Sequence, residues 1–465
     1  MLLTDGRVAT DPYDGFVVGS GPAGLSVALA LAEANKRVLV FESGDAESVR
    51  SELANTIGYG HFSGSYWNAH WIRALGGTSA VWNGWCSTLR AVDFDSPVVG
   101  VRWPIRRADL SDYYARAAAV LDHDAALIDL ETPVVPGFSY RPIPIAGPTR
   151  FGRKYVDTLR SAGNVDVAVG CSLVRLDAND RRSSVTVLEY VHHPSGVRRR
   201  LSVAPGQSVV IAAGGIGNAQ LLQQPPAMGG VPVGNESGLA GMFLMEHPHL
   251  DRAGEVVLDE RIERHWPAAT GGVAHAVVAE DEVARREGLY GCSLQLAEMT
   301  VDHELARHFS SETGRTFHHY TVTARSEMLP SAGNRVLLTG ERDRSGLLRP
   351  AARCVCDARD LLNVEQTLRL LGAALLQSGK GRVRVNNDQI YRQFTGGGHT
   401  MGTTRMGNSA SDSVVDGDCR VHGYTNLFVA GSSVFATGGH ANPTLTIVAL
   451  GLRLADTIAA RDGEA

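Results

Sequence analysis

The hexapeptide Gly19-Ser20-Gly21-Pro22-Ala23-Gly24 constrains this chain more than any other feature. A short apolar run, Phe16 to Val18, leads into it, and the alanine- and leucine-rich segment LSVALALAEANKR leads out. A second apolar run, Val38 to Phe41, ends in Glu42, eighteen positions beyond Gly24. Strand, tight turn, helix and strand make a βαβ unit with a terminal acid. Gly19 permits the sharp turn, Gly21 lets backbone N–H groups approach a pyrophosphate at the positive helix end, and Gly24 permits close helix–strand packing. Glu42 is placed to accept from ribose hydroxyls, and Pro22, Ala23 and Ser43 complete the candidate set. A lone G-x-G-x-x-G is weak, but the flanking strand and helix and the spacing of Glu42 are what dinucleotide binding requires. An ordinary glycine turn leaves Glu42 unexplained. NAD, NADP and FAD all use such a unit, although an acid at this strand end disfavours a 2′-phosphate.

A chain of 465 residues, 44% apolar and 20% charged, can bury a large core in two to four domains. Its net charge of −5 lacks the positive field of a nucleic-acid or anionic-membrane binder. Six dispersed cysteines fit a reducing cytoplasm better than a disulfide scaffold or a zinc site, so no metal is expected. The opening residues read as no secretory leader, and no run of about 18 apolar residues follows, so no membrane span is expected.

The 52 glycines cluster in further loops. Residues 71–86, WIRALGGTSAVWNGWC, hold three glycines and three tryptophans without helical or strand period, so backbone there can lie against a planar or phosphorylated ligand. Gly77, Thr78, Ser79, Trp82, Asn83 and Gly84 are the candidates, and Cys86 reads as packing. Residues 106–123 have helical spacing; 165–176, 183–190 and 198–204 read as strands, with His192 and His193 in a solvated turn. A buried strand, 208–211, runs into Ala213-Gly214 and a helix, a second backbone approach to the cofactor. Between 251 and 395, strands at 255–258, 273–279, 289–296, 318–325 and 335–339 and a helix near 360–378 imply an antiparallel sheet. Glu246, His247 and His249 mark the crossing into it, and their roles stay open.

The C-terminal part holds Gly396-Gly397-Gly398-His399, then Asn426 to Ser433, a strand opening into Gly431-Ser432, then Gly438-Gly439-His440-Ala441-Asn442-Pro443-Thr444 before an amphipathic helix. Pro443 favours a helix start, whose positive end suits an electron-rich ring.

Together, GSGPAG with Glu42, LGGTSAVWNG, IAAGGIGNAQLL, GGHTMGTTRMG and NLFVAGSSVFATGGHANPTLTIVALGLRLAD resemble the glucose-methanol-choline (GMC) flavoprotein oxidoreductases. The resemblance implies FAD, a Rossmann-like FAD-binding domain assembled from 1–95, 165–248 and 396–465, and a substrate-binding domain on an antiparallel sheet from 96–164 and 249–395. It implies oxidation of an alcohol CH–OH, with His399 as base and Asn442 binding the hydroxyl oxygen, a His/Asn pair similar to the pyranose-oxidase and cholesterol-oxidase branches. His440 then stands behind the pair. Leu173 would contact adenine through its backbone. Covalently flavinylated relatives carry a histidine where this sequence has Val81, so noncovalent FAD is expected. A hydroxynitrile-lyase-like flavoprotein is the alternative. Histidines 265, 275, 303, 308, 318 and 319, with Glu298 and Glu327, make the substrate region polar, which favours a sugar, cyclitol or aminoglycoside-like polyol. Oxygen or another acceptor would reoxidise the flavin.

Overall fold

Strand Gly15–Val18 lies inside a six-stranded parallel sheet, and its residues are buried on both faces, as a sheet covered by helices requires. The computed structural model describes residues 1–8, 12–45, 53, 55–145, 147, 149–226, 229–259, 261, 272–299, 303–392 and 394–461. The strand order is Leu2–Leu3, Val165–Val169, Val38–Glu42, Gly15–Val18, Ser208–Ile211, Leu427–Val429, every pairing parallel. Gly19, Ser43, Ala212 and Ala430 all follow carboxyl ends of these strands, so the glycine turns collect along one edge, where open α/β sheets bind ligands. Helices Pro22–Glu33 and Thr444–Arg461 pack together on the sheet, and helix Ser111–Val120 docks on the latter, with Tyr114 Oη 2.9 Å from Thr446 Oγ1.

Residues 165–176 do not form one strand. Gly170, at φ +67°, breaks the run into Val165–Val169 in the parallel sheet and Cys171–Ala178 in a three-stranded antiparallel sheet with Val185–His192 and Val197–Ser202. The expected solvated turn at His192 is likewise corrected. His192 is buried, its Nε2 3.1 Å from the Thr4 carbonyl and its Nδ1 2.9 Å from Ser195 Oγ, in space left by side-chain-free Gly6. His193 Nε2 lies 2.8 Å from Ser172 Oγ.

The expected antiparallel sheet has eight strands: Gly381–Val385, Pro248–Leu258, His318–Ser326, Cys292–Glu298, Gly272–Ala279, Phe138–Ile145 and Thr132–Val135 in order, with Thr395–Gly396 also pairing Pro248–Leu258. Helix Ala358–Gln377 covers one face, burying Leu361, Val364, Leu368, Leu371 and Leu375 at helical spacing against Leu250, Leu294 and Ala324. A third, mixed sheet joins Arg335–Arg342 and Leu348–Cys354 to Ile57–Gly60, so the residues expected at 335–339 lie outside the large sheet. Among the described residues no helix is long and apolar enough to cross a membrane.

Candidate functional site

One cavity of about 470 Å³ brings together loops from all the glycine clusters. Gly19, Gly21, Pro22, Ala23, Glu42, Ser43, Gly77, Thr78, Ser79, Trp82, Asn83, Leu173, Ala213, Gly214, Gly431, Ser432, Asn442, Pro443, Thr444 and His399 line it. Gly24 and Gly84 do not. A Cβ on Gly24 would stand 1.9 Å from the Gly19 carbonyl oxygen, so this glycine serves packing under the turn.

Three helices, Pro22–Glu33, Gly214–Leu222 and Thr444–Arg461, point their N-termini at the cavity. Their unpaired N–H groups make it attractive to phosphate and to an electron-rich ring. Pro443 precedes the last of them rather than opening it, its carbonyl accepting from Ile447 N at 2.9 Å. The second turn is held by Asn218, which accepts from Ala213 N at 2.7 Å and donates to the Ala430 carbonyl and Ser433 Oγ at 3.0 and 2.8 Å. Glu42 accepts from Ser20 N and Oγ at 3.0 and 2.5 Å and from Gly44 N at 2.7 Å; burial pushes its carboxyl up while these donors oppose that shift. Gly76 N donates to Ser20 Oγ at 3.1 Å, tying the tryptophan-rich loop to the first turn. A carboxylate has lone pairs beyond these three donors, so Glu42 retains capacity for a sugar hydroxyl. At Gly21 a Cβ would meet nothing nearer than Gly77 Cα at 3.9 Å, so the protein itself leaves that cradle open. These residues fit a dinucleotide.

At the other end, Thr395–Gly396 and the Met245–Met401 bridge hold His399 beside His247 and His249. Glu246, fully buried, accepts from His399 N at 2.8 and 2.9 Å, from His247 N at 2.8 Å and from Tyr66 Oη at 2.6 Å. Tyr66 Oη in turn accepts from Gly398 N at 2.7 Å. His399 Nδ1 lies 2.9 Å from His247 Nδ1, and His247 Nε2 lies 3.3 Å from the Gly438 carbonyl. That carbonyl can only accept, so His247 carries its proton on Nε2; burial holds this ring neutral, its pKa pushed down to about 4. His247 Nδ1 is then an acceptor, His399 donates from Nδ1, and the lone pair of His399 is on Nε2, 3.4 Å from Asn442 Nδ2. Burial first, then His247, His249 and Arg325, hold the His399 pKa well below the usual imidazole value.

His440 is buried and not on the cavity wall. Glu327, expected in the substrate region, is buried beside this chain instead, accepting from Gly438 N at 2.8 Å and Gly291 N at 3.1 Å, its carboxyl pushed up to about 8 mainly by burial. Cys86 is buried and its thiol pushed up by that burial, as a packing residue. His319 is buried, His308 exposed, and His275, His303 and His318 lie between; His265 falls outside the described residues. Tyr66, His70 and Arg325 are not signalled by any local pattern, and Arg73, although inside the loop 71–86, is not among its candidates. Tyr66 acts on residue 398, and no sequence period links positions so far apart.

Two family models match: "FAD dependent oxidoreductase" over residues 14–238 and "GMC oxidoreductase" over 330–451. The chain is 26% identical to 2-methyl-1,2-propanediol dehydrogenase of Mycolicibacterium austroafricanum, over 97% of this chain and 96% of that protein. It is 25% identical to 6'''-hydroxyparomomycin C oxidase of Streptomyces lividus, over 96% and 91%. In three dimensions it matches a fungal aryl-alcohol oxidase at a TM-score of 0.63 and 16% identity, over 98% of this chain and 100% of that one. The fold and the nucleotide-facing loops define an FAD-dependent oxidoreductase. More narrowly, the chain belongs to the glucose-methanol-choline oxidoreductase family.

Proposed function

We propose that this protein oxidises a CH–OH group of a small polyol to the carbonyl, with His399 as base and Asn442 as the partner of the hydroxyl oxygen. The observation that carries this reading is the chain Gly438–His247–His399, which leaves the basic nitrogen of His399 beside the Asn442 amide. Bound FAD supplies the acceptor for the hydride that leaves the alcohol carbon. His399 Nε2 takes the hydroxyl proton as the carbonyl forms, and the Asn442 amide donates to the oxygen without competing for that proton. Segments 1–95, 165–248 and 396–465 hold the cofactor in this reading, and 96–164 and 249–395 the substrate. The relatives named for a diol and for an aminoglycoside support a polyol, which would be oxidised in the cytoplasm with oxygen or another acceptor taking the electrons.

Val81, apolar and 48% exposed at the cavity wall, supports noncovalent FAD. Acid precipitation is expected to release all the yellow colour into the supernatant, whereas colour left in the pellet means a covalent bond. Anaerobic titration with sugars, aminoglycosides and simple alcohols is expected to bleach the 350–500 nm flavin bands with at least one class. Bands that never bleach, with carbonyl release from a cyanohydrin, would replace this reading by the lyase.

His247 is a positioning residue in this scheme. His247→Ala removes the acceptor that fixes the His399 tautomer, and is expected to slow flavin reduction by about tenfold or more at unchanged flavin content. His247→Asn, whose side-chain oxygen reaches the place of Nδ1, should recover much of that rate. Equal rates in all three proteins would remove His247 from the mechanism.

A further inference from the structure

Strands Pro248–Leu258, His318–Ser326 and Cys292–Glu298 place His249, Arg325 and Ser293 on one rung of the antiparallel sheet. Paired residues share a face and alternate residues return to it, so Thr323 and Gln295 stand on the same face one rung away. The intervening Leu250, Ala324 and Leu294 are buried in the core under helix Ala358–Gln377. Of this face, His249 and Arg325 stand on the cavity wall; Ser293, Gln295 and Thr323 do not.

That face is short of hydrogen-bond partners. Arg325 Nε, His249 Nε2, Ser293 Oγ and Gln295 Nε2 are buried without one among the described residues. Arg325 makes no ion pair there either; the carboxylate that acts on it from a distance, Asp251, accepts instead from Thr323 Oγ1 at 3.2 Å. The guanidinium lies over the Trp85 ring, 4.1 Å from its centroid. Stacking uses the flat face of the group and leaves its in-plane N–H fork for a ligand. A largely desolvated cation without a partner is costly, and the matching group for that fork is a carboxylate.

We propose that Arg325, on the cavity wall beside His249, forms an anion subsite, and that the alcohol oxidised here carries a carboxylate. The inference rests on the alcohol-oxidation reading and narrows it: among polyols it selects sugar acids and hydroxy acids of similar size, and it disfavours the cationic aminoglycosides, which Arg325 would repel.

The test uses the FAD-loaded enzyme and matched pairs: glucuronate against glucose, and 4-(hydroxymethyl)benzoate against benzyl alcohol, with paromamine as the cationic probe. Anaerobic flavin bleaching gives a half-saturating concentration and a limiting rate for each, and calorimetry gives the affinity for benzoate, which cannot be oxidised. Each acid is expected to half-saturate at least tenfold below its neutral twin. Arg325→Gln should erase that preference and weaken benzoate about tenfold or more, and Arg325→Lys should keep part of it. Neutral twins that equal or better the acids, a preference for paromamine, or an Arg325→Gln variant that slows both twins alike would each overturn the subsite. If no alcohol bleaches the flavin yet benzoate binds in an Arg325-dependent way, the subsite stands and the oxidation reading falls.

Discussion

Replacing His399 by alanine is expected to leave a folded, yellow protein whose flavin is reduced by alcohol about 10²- to 10⁴-fold more slowly, the usual contribution of a positioned general base. The fold should tolerate the change, because the bonds that hold residue 399 are made by its backbone N–H to Glu246, and alanine retains that group. The ring itself touches His247 and Asn442, which lose a partner but not their place. The pH dependence gives a second readout. An imidazole whose pKa is held well below 6.5 stays neutral, and so competent as a base, as pH falls through 6.5. The wild-type reduction rate should therefore stay level from pH 8 to below 6.5 and decline only at more acid pH, where the ring takes up a proton. In His399→Ala, solvent hydroxide must serve instead, so the residual rate should climb with pH. Rapid-mixing absorbance at fixed substrate measures both. A variant that reduces its flavin at the wild-type rate removes His399 from the base role, and a wild-type rate that halves near pH 6.5 removes the electrostatic account.

The two ends of this site differ in how much of them the sequence carries. The nucleotide end is built from contiguous motifs, because a strand, a glycine turn and a helix N-terminus are consecutive in the chain and each leaves a local pattern. Nearly every residue singled out in those motifs lines the cavity, and the two that do not, Gly24 and Gly84, stand within the same loops. The large antiparallel sheet was legible for the same reason: alternation between apolar and polar positions is local. The catalytic end is assembled by tertiary pairing. His399 is oriented by His247, 152 positions away, and by Glu246, which Tyr66 also meets from 180 positions earlier in the chain. Single histidines and a tyrosine have no spacing rule, so MEHPH could be noticed without its task being read. Arg325 shows the same limit. In the sequence it is one polar position in an alternating strand, and only the pairing with His249 and the stack on Trp85 turn it toward the cavity. The errors were of one kind as well. Gly170 breaks a run that keeps its alternation on both sides, and His192 is buried by a distant glycine, Gly6, that no window around residue 192 contains.

Gly21 and Gly24 sit three residues apart in one motif, yet substituting them should produce opposite phenotypes. Gly24→Ala forces a Cβ to within 1.9 Å of the Gly19 carbonyl oxygen, and neither backbone can retreat, because Gly19 is itself wedged against Ala212, where a Cβ would have 2.4 Å. Overlap of this kind between a helix and its strand is expected to cost more than about 4 kcal/mol, enough to leave the protein insoluble or with a sharply lower melting temperature. Gly21 differs in both respects. Its φ of −68° and ψ of −177° are open to any residue, and a Cβ there finds Gly77 Cα no closer than 3.9 Å. By conformational entropy alone, Gly21→Ala should match or exceed the wild-type apoprotein in stability, by up to about 1 kcal/mol. What the methyl group occupies is cradle space at the N-terminus of helix Pro22–Glu33, where the backbone N–H groups await phosphate. Losing one or two charge-assisted hydrogen bonds there weakens FAD about 100-fold. Apoprotein melting curves with and without added FAD separate the cases, since a ligand raises the melting temperature only as far as it binds the folded state. Wild type should gain stability with FAD, Gly21→Ala should fold but gain little, and Gly24→Ala should start low. If Gly21→Ala binds FAD as wild type does, the first glycine turn is not the pyrophosphate cradle, and the cofactor must lie differently along the cavity.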